Sequence, residues 1–389
     1  MNQVEALVEA GHDVTYCALQ YSRDLPGRLH DAAKRLAGRL KTIQLFPDNE
    51  TTVQSMPLAL RGLATLTHAA VRQGKWSEPF VGFSLNPRLI RLAASAEIHG
   101  QYDAILCHFG MPAVLFDRAR ALGLVSGKLA VFFHGRDIPK PPAASRYRKL
   151  TARAELVVAN SQFTAKRLAG LGLSSPRLKV IPVGLFPERW PLIGPRGGAR
   201  FFTIARLTEK KGLEYAIRAL RLVRLAGYPA TMSIFGDGPL RQHLQALVAE
   251  LSLEEAVQFC GFVPQEQFVT RLADMDAFVL PSVTAASGDM EGQGLALAEA
   301  QAMGFPVIAT RHNGFPDSVV EDKTAFLVAE RDVEALAACM IRLIDCPDLA
   351  RDMGKDGRAF AIEKFDQRKI VGEILSALFH EPFVRDQGA

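Results

Sequence analysis

The sequence predicts an α/β protein made of two doubly wound domains, and three observations carry that prediction. The chain has 389 residues, more than one core usually organises and enough for two domains of ordinary size. Short β-rich runs alternate with longer helical patterns along the whole chain, the order that gives parallel sheets flanked by helices. Apolar residues make up 48% and charged residues 22%, a soluble globular balance that fits neither a disordered chain nor a membrane span.

The chain opens inside a helical pattern, with Val4, Leu7 and Val8 spaced for one face, that ends at Gly11. A doubly wound domain normally begins with a strand and a tight loop before such a helix, so the first domain is expected to lack that strand and loop. Strands are predicted at 13–19, 102–109, 128–135, 155–161 and 178–184. Residues 54–73 come closest to a long apolar run, but Arg61, His68 and Arg72 interrupt it, and a buried or surface helix fits better. Residues 186–198, "FPERWPLIGPRGG", hold three prolines and three glycines with little periodicity and read as a domain connection. Five further strands are predicted in "RFFTIARL", "ATMSIFGDG", "VQFCGFV", "AFVLPSV" and "PVIATR". The domains are therefore placed at 1–187 and 188–364, with a helix in "FDQRKIVGEILSALF", residues 365–379, after them. Two such domains put a ligand in the cleft between them, outside the carboxyl ends of the strands.

The net charge is +5. Residues 1–190 carry 25 Lys+Arg against 14 Asp+Glu, a balance of +11, and residues 191–389 carry 21 against 27, a balance of −6. The basic half suits an anionic partner such as a phospholipid surface, a lipid pyrophosphate or a nucleic acid; a basic domain with no such partner fits it equally. Five scattered cysteines without C-x-x-C spacing argue against a disulfide framework and a thiolate metal site, and fit a reducing cytoplasm. No secretory signal opens the sequence.

The candidate chemistry lies in loops that follow strands. In "GDMEGQGLALAEA", residues 288–300, the glycines break the helical pattern and Leu295 to Ala298 restore it, so a helix is expected to start near Gly294. Glu291 then sits in the loop before it and Glu299 about one turn inside, its side chain leaning back toward the N-terminus. Backbone N–H groups at such a glycine-flanked helix start approach a phosphate or sugar closely. By themselves the two carboxylates read equally as ligand contacts or as a loop charge and a surface charge. "ARLTEKKG", residues 205–212, offers Arg206 as a planar fork for phosphate oxygens and Lys211 as a compact charge; alone, two such cations are usually solvated surface. "FGDGPLR", with Gly236 and Gly238, is a strand, glycine turn and helix of a generic phosphate-binding kind, without a dinucleotide fingerprint's third glycine. "FFHGRD", residues 132–137, ends a strand on His134, and a lone histidine is more often structural.

Read in order, "FHGRD", "ARLTEKKG", "IFGDGPLR", "CGFV" and "PSVTAASGDMEGQGLALAEAQAMGFPVIATRHNGFPDSV" resemble the retaining glycosyltransferases of family four, with the GT-B architecture of two Rossmann-like domains. Two glutamates with seven residues between them are that family's marker. "HFG" at 108–110, "SVTAASGDMEG" and "VAERD" at 328–332 look like the branch that builds bacterial exopolysaccharides such as colanic acid. The resemblance implies a nucleotide-sugar donor lying across the C-terminal domain. Arg206 and Lys211 would hold its diphosphate and stabilise the charge growing there as the glycosidic bond breaks. Glu291 would contact the sugar hydroxyls, with the N–H groups of Gly292, Gln293, Gly294 and Leu295 nearby and Gln293 facing the sugar; Glu299 would accept from the ribose hydroxyls. Gly236 and Gly238 would line the donor, the backbone around Val263 would meet the base, and His134 would reach across the cleft.

In this family no side chain is clearly a nucleophile, and front-face attack is favoured, with the leaving phosphate taking the acceptor's proton. Glu291 and Glu299 are therefore not the acid and nucleophile of a hydrolase. No metal and no cofactor are expected, the two cations standing where a D-x-D metal cluster would serve the diphosphate. The last helix, about 365–389, would join the first domain. The implied partners are a UDP- or GDP-sugar and a saccharide or lipid-linked saccharide acceptor, with no nucleic acid. The implied location is cytoplasmic, peripheral on the inner membrane face through "RLHDAAKRLAGRLK" at 28–41, a stretch that a solvated amphipathic helix explains as well. Asp317 stands after Pro316 where the family commonly has Glu. The rival readings are a catalytically inactive nucleotide-sugar-binding or scaffold protein, motivated by the expected missing strand, and an epimerase or phosphorylase of the same two-domain plan.

Overall fold

The computed structural model describes residues 2–18, 40–44, 61–62, 64–66, 68–69, 72, 87–135, 138, 144–173 and 175–380. The chain forms two compact units, one of residues 1–159, 165–181 and 368–389, the other of 160–164 and 182–367. The crossing near 181 lies six residues before the expected boundary.

Unit 1 holds two parallel sheets rather than the one expected. In the smaller, β1 (Val14–Ala18) pairs with β2 (Leu40–Gln44), Val14 opposite Leu40. The larger runs β3 (Gly100–His108), β4 (Val125–Phe133), β5 (Leu156–Ala159) and β6 (Leu178–Val180) in that order. Lys41 and Gln44 give β2 a polar look, which hid it; its first two residues close the stretch 28–41, whose remainder lies outside the described residues. Every residue from Leu129 to Phe133 is buried, the continuous apolar run of a strand covered on both faces. Val131, Phe133, Val157 and Ala159 point to one face, into a core with Leu115, Ala119, Leu150 and Leu168. Ala130, Phe132, Leu156 and Val158 point to the other, where Ile370, Ile374 and Leu378 of the helix Gln367–Phe379 cover them.

Unit 2 is one six-stranded parallel sheet in the order β12-β11-β10-β7-β8-β9. Its strands are β7 (Arg200–Ile204), β8 (Thr231–Phe235), β9 (Val257–Gly261), β10 (Ala277–Leu280), β11 (Val307–Thr310) and β12 (Ala325–Val328). The chain steps outward from β7 to β9, returns to lay β10 beside β7, and steps outward the other way. Winding thus reverses between β7 and β10, the switch point at which such sheets bind ligands. Leu185, near the start of unit 2, accepts from Gln367 N–H at 2.9 Å and donates its own N–H to Phe365 O at 2.8 Å, tying the segment that enters unit 2 to the one that leaves it. Among the described residues no helix is long and apolar enough to cross a membrane.

Candidate functional site

The loops after β7 and β10, on either side of the switch point, carry the cations and the first glutamate. After β7 the chain exposes Arg206, makes a 3-10 turn over Glu209–Lys211 and enters the helix Leu213–Leu225. Lys210 Nζ and Lys211 Nζ each lie 3.3 Å from Glu291 Oε1. Burial pushes the Glu291 carboxyl up, but Lys211 and Lys210 outweigh it and hold the group below the usual carboxylate range. Lys210 also lies 3.5 Å from Asp289 Oδ1 and from the Met290 carbonyl. Arg206 makes no ion pair among the described residues, so its guanidinium is presented to solvent.

From Glu291 to Gln293 every backbone carbonyl is taken by a side chain. Asn313 Nδ2 donates to Glu291 O at 3.0 Å, Ser161 Oγ to Gly292 O at 3.1 Å and Ser318 Oγ to Gln293 O at 2.8 Å. The carbonyls therefore turn away from the loop's outer side. The N–H groups of Gly292, Gln293 and Gly294 have no partner among the described residues, and that of Leu295 opens the helix Leu295–Ala302, where first-turn donors lack intrahelical acceptors. Four donors in succession at a helix start form a concavity suited to an anion. Gly294 sits at φ 80°, and a Cβ there would strike the Phe315 ring, so backbone shape and packing both demand glycine.

Glu299 lies on that helix, one turn in. Burial pushes its carboxyl up to about 7, with Lys211 pulling the other way. Both glutamates thus feel Lys211, in different ionisation regimes. Gln293 departs from expectation. It is only 4% exposed, accepts the Val183 N–H at 2.7 Å and donates to Val183 O at 3.0 Å. Its amide is turned inward, bonded at both ends to the backbone of Val183, rather than toward a sugar.

Gly236 and Gly238 have a packing reason. A Cβ at the first would strike Ala205 O and at the second Leu207 O, so the turn lies flat against the loop that presents Arg206. Leu207 N–H donates to Asp237 O at 3.0 Å and fixes that approach. Val263 is buried, while Phe262 beside it is 72% exposed.

In unit 1, His134 follows β4 and its Nε2 lies 2.9 Å from Nδ1 of His108, the last residue of β3. The two rings stack at 5.1 Å, and His108 stacks on Phe132 at 4.7 Å. Gln3 Oε1 meets the other nitrogen of His108. Burial, aided by His134, pushes His108 down to about 3, so it is neutral at physiological pH. Arg136 and Asp137 lie outside the described residues.

Sequence reasoning missed Lys210, His312, Asn313 and Glu330. Lys210 was legible, one position from Lys211. His312 is completely buried, its Nε2 within 3.1 Å of Glu291 N and 2.9 Å of Asn313 Nδ2, its Nδ1 2.6 Å from Glu330 Oε1. Eighteen residues separate that pair, and no local pattern joins them. Among the described residues no group of three or more His, Cys, Asp or Glu side chains stands together as a metal site.

Residues 189–360 match the model of glycosyl transferases group 1, and residues 1–189 that of glycosyltransferase family 4. The chain is 32% identical over 391 residues to WcaL of Escherichia coli, named for colanic acid biosynthesis, covering 97% of this chain and 95% of that protein. It is 34% identical over 354 residues to the amylovoran biosynthesis glycosyltransferase AmsK of Erwinia amylovora, covering 88% and 86%. Among solved structures, Anabaena HepE in complex with UDP superposes with a TM-score of 0.73 at 19% identity, over 97% of this chain and 95% of that one.

Proposed function

The chain belongs to the GT-B glycosyltransferases of group 1 and family 4, and from that premise we propose that it transfers a hexose, with retention, from a UDP- or GDP-sugar to a growing saccharide or lipid-linked saccharide in exopolysaccharide synthesis. One observation carries the reading. At the switch point of unit 2, Arg206 and Lys211 from the β7 loop, Glu291 from the β10 loop and the N–H groups of Gly292 to Leu295 occupy one set of strand ends.

The diphosphate lies against Arg206, Lys211 and those N–H groups, which stabilise the charge it gains as the anomeric C–O bond breaks. Glu291, kept ionised by its two lysines, accepts from sugar hydroxyls. Glu299, its carboxyl raised to about 7 by burial and so largely protonated only below that pH, exchanges hydrogen bonds with the ribose. The acceptor hydroxyl attacks the anomeric carbon from the side the diphosphate leaves, and a departing phosphate oxygen takes its proton. Arg206 and Lys211 supply the positive charge a divalent metal would otherwise bring, so turnover is expected to persist in chelator. The names of WcaL and AmsK support the exopolysaccharide setting, and the basic first half is what supports association with an anionic membrane surface.

The test is a panel of UDP- and GDP-sugars with the anomeric configuration of the product read by NMR. An inverted product ends the retaining reading, and full donor turnover by Lys211→Ala or Glu291→Ala ends the assignment of the site. Failure to float with anionic liposomes at low salt ends the membrane part.

A further inference from the structure

Glu291 must be aimed as well as charged. It sits in a loop containing Gly288, Gly292 and Gly294, a composition with little stiffness of its own, and its lysine partners come from long flexible side chains. Both polar groups of its backbone are nevertheless fixed by two consecutive side chains after β11. His312 Nε2 accepts the Glu291 N–H at 3.1 Å, and Asn313 Nδ2 donates to the Glu291 carbonyl at 3.0 Å.

The protonation of His312 follows from its neighbours. Nε2 faces two donors, the Glu291 N–H and the Asn313 amide, so it is the acceptor and the ring proton sits on Nδ1. Nδ1 donates to Glu330 Oε1 at 2.6 Å. The other Glu330 oxygen accepts the Thr284 N–H at 2.9 Å, at the start of the same loop that carries Glu291. One carboxylate after β12 thus sets the tautomer that holds Glu291 and anchors the root of its loop. The ring itself is wedged edge-on against Phe315 at 5.5 Å and is fully buried, so it touches no ligand.

We propose that His312 and Asn313 are positioning residues that aim Glu291 at the donor sugar, with Glu330 fixing the histidine tautomer this requires. The proposal rests on Glu291 contacting the sugar. Its consequence is selective: the sugar loses its orientation when the backbone clamp on Glu291 is removed, while the nucleotide diphosphate keeps Arg206, Lys211 and the N–H groups that follow, because Ser161 and Ser318 hold the Gly292 and Gln293 carbonyls independently.

Two amides replacing His312 separate this from a merely structural role. Gln places an oxygen where Nε2 stood and keeps an acceptor for the Glu291 N–H, losing only the link to Glu330. Asn reaches as far as Nδ1, keeps that link and offers Glu291 nothing. His312→Asn is expected to lower kcat by up to about a hundredfold with the affinity for UDP or GDP, whichever the donor panel selects, unchanged; His312→Gln is expected to recover most of the loss. Should the Asn variant not fold, Asn313→Gly carries the same test, since Asn313 has φ 46°, which glycine adopts freely, and only the amide is lost. Equal kcat in the Asn and Gln variants, a wild-type kcat in Asn313→Gly, or a fall in nucleotide affinity matching the fall in kcat overturns the proposal. If these variants are unaffected while Glu291→Ala is dead, this proposal alone falls; if Glu291→Ala keeps full turnover, the reading beneath falls with it.

Discussion

At the carboxyl ends of β7 and β10, unit 2 sets its residues by opposite charge, with Lys210 and Lys211 both on Glu291. At the carboxyl ends of β3 and β4, unit 1 presents stacked rings, His108 on Phe132 and against His134, with a neutral imidazole at the centre. The overall charge runs the other way: the first half of the sequence is the basic one and the second half is acidic. Charge counted over a domain therefore says little about charge at a site. The cation cluster that suits a diphosphate lies in the acidic half, and the basic half brings a stacked histidine pair with a neutral His108 to its strand ends, suited to hydroxyl groups.

Breaking the charged side has the largest expected effect. Glu291→Ala leaves two lysines without the counter-ion they share, and Lys211→Ala removes a charge next to the leaving group; each is expected to lower kcat about 10²- to 10³-fold, read in a donor turnover assay. Next is the pH dependence of stability. Glu299 is raised from the usual 4.5 to about 7, so the folded chain holds a proton the unfolded chain has released. The stabilisation is fully present below about pH 4.5 and is lost as pH rises through about 7. Thermal unfolding between pH 4.5 and 8 is expected to show that slope, worth up to about 3 kcal/mol, and Glu299→Gln to flatten it.

A smaller effect is expected from the ring side. His134→Ala removes one hydrogen-bonding group, and a loss of about tenfold in kcat, with nucleotide affinity intact, follows from about 1.4 kcal/mol. A loss as large as that of Glu291→Ala would erase the contrast between the two units. Smallest is Gln293→Met, which breaks two hydrogen bonds to Val183. It is expected to lower stability by about 1 kcal/mol per lost bond and to leave the order of preference among donor sugars unchanged.

The periodicity of the strands and the motif at Glu291 and Glu299 were legible because each is local. So was the helix start, which falls at Leu295 as the glycines indicate. Gln293 was set toward the sugar by the family resemblance alone, and Val183, the partner that turns it inward, is 110 residues away. His312 and Glu330 were invisible for the same reason: each reads as a loop residue until the sheet places β11 beside β12. β12, "AFLV", escaped because four apolar residues without strong turn signals do not declare a strand. The separation of β1 and β2 from β3–β6 is a property of pairing, which sequence patterns do not specify.

The helix Gln367–Phe379 lays Ile370, Ile374 and Leu378 on the face of the unit 1 sheet formed by Ala130, Phe132, Leu156 and Val158. On the ribosome this means that unit 1, begun first, is completed last. Its sheet waits with one apolar face bare while all of 182–367 is synthesised, a long window for chaperone binding or misassociation. Release of the last turn of that helix from the exit tunnel, rather than completion of the first domain's strands, is the event that closes the fold.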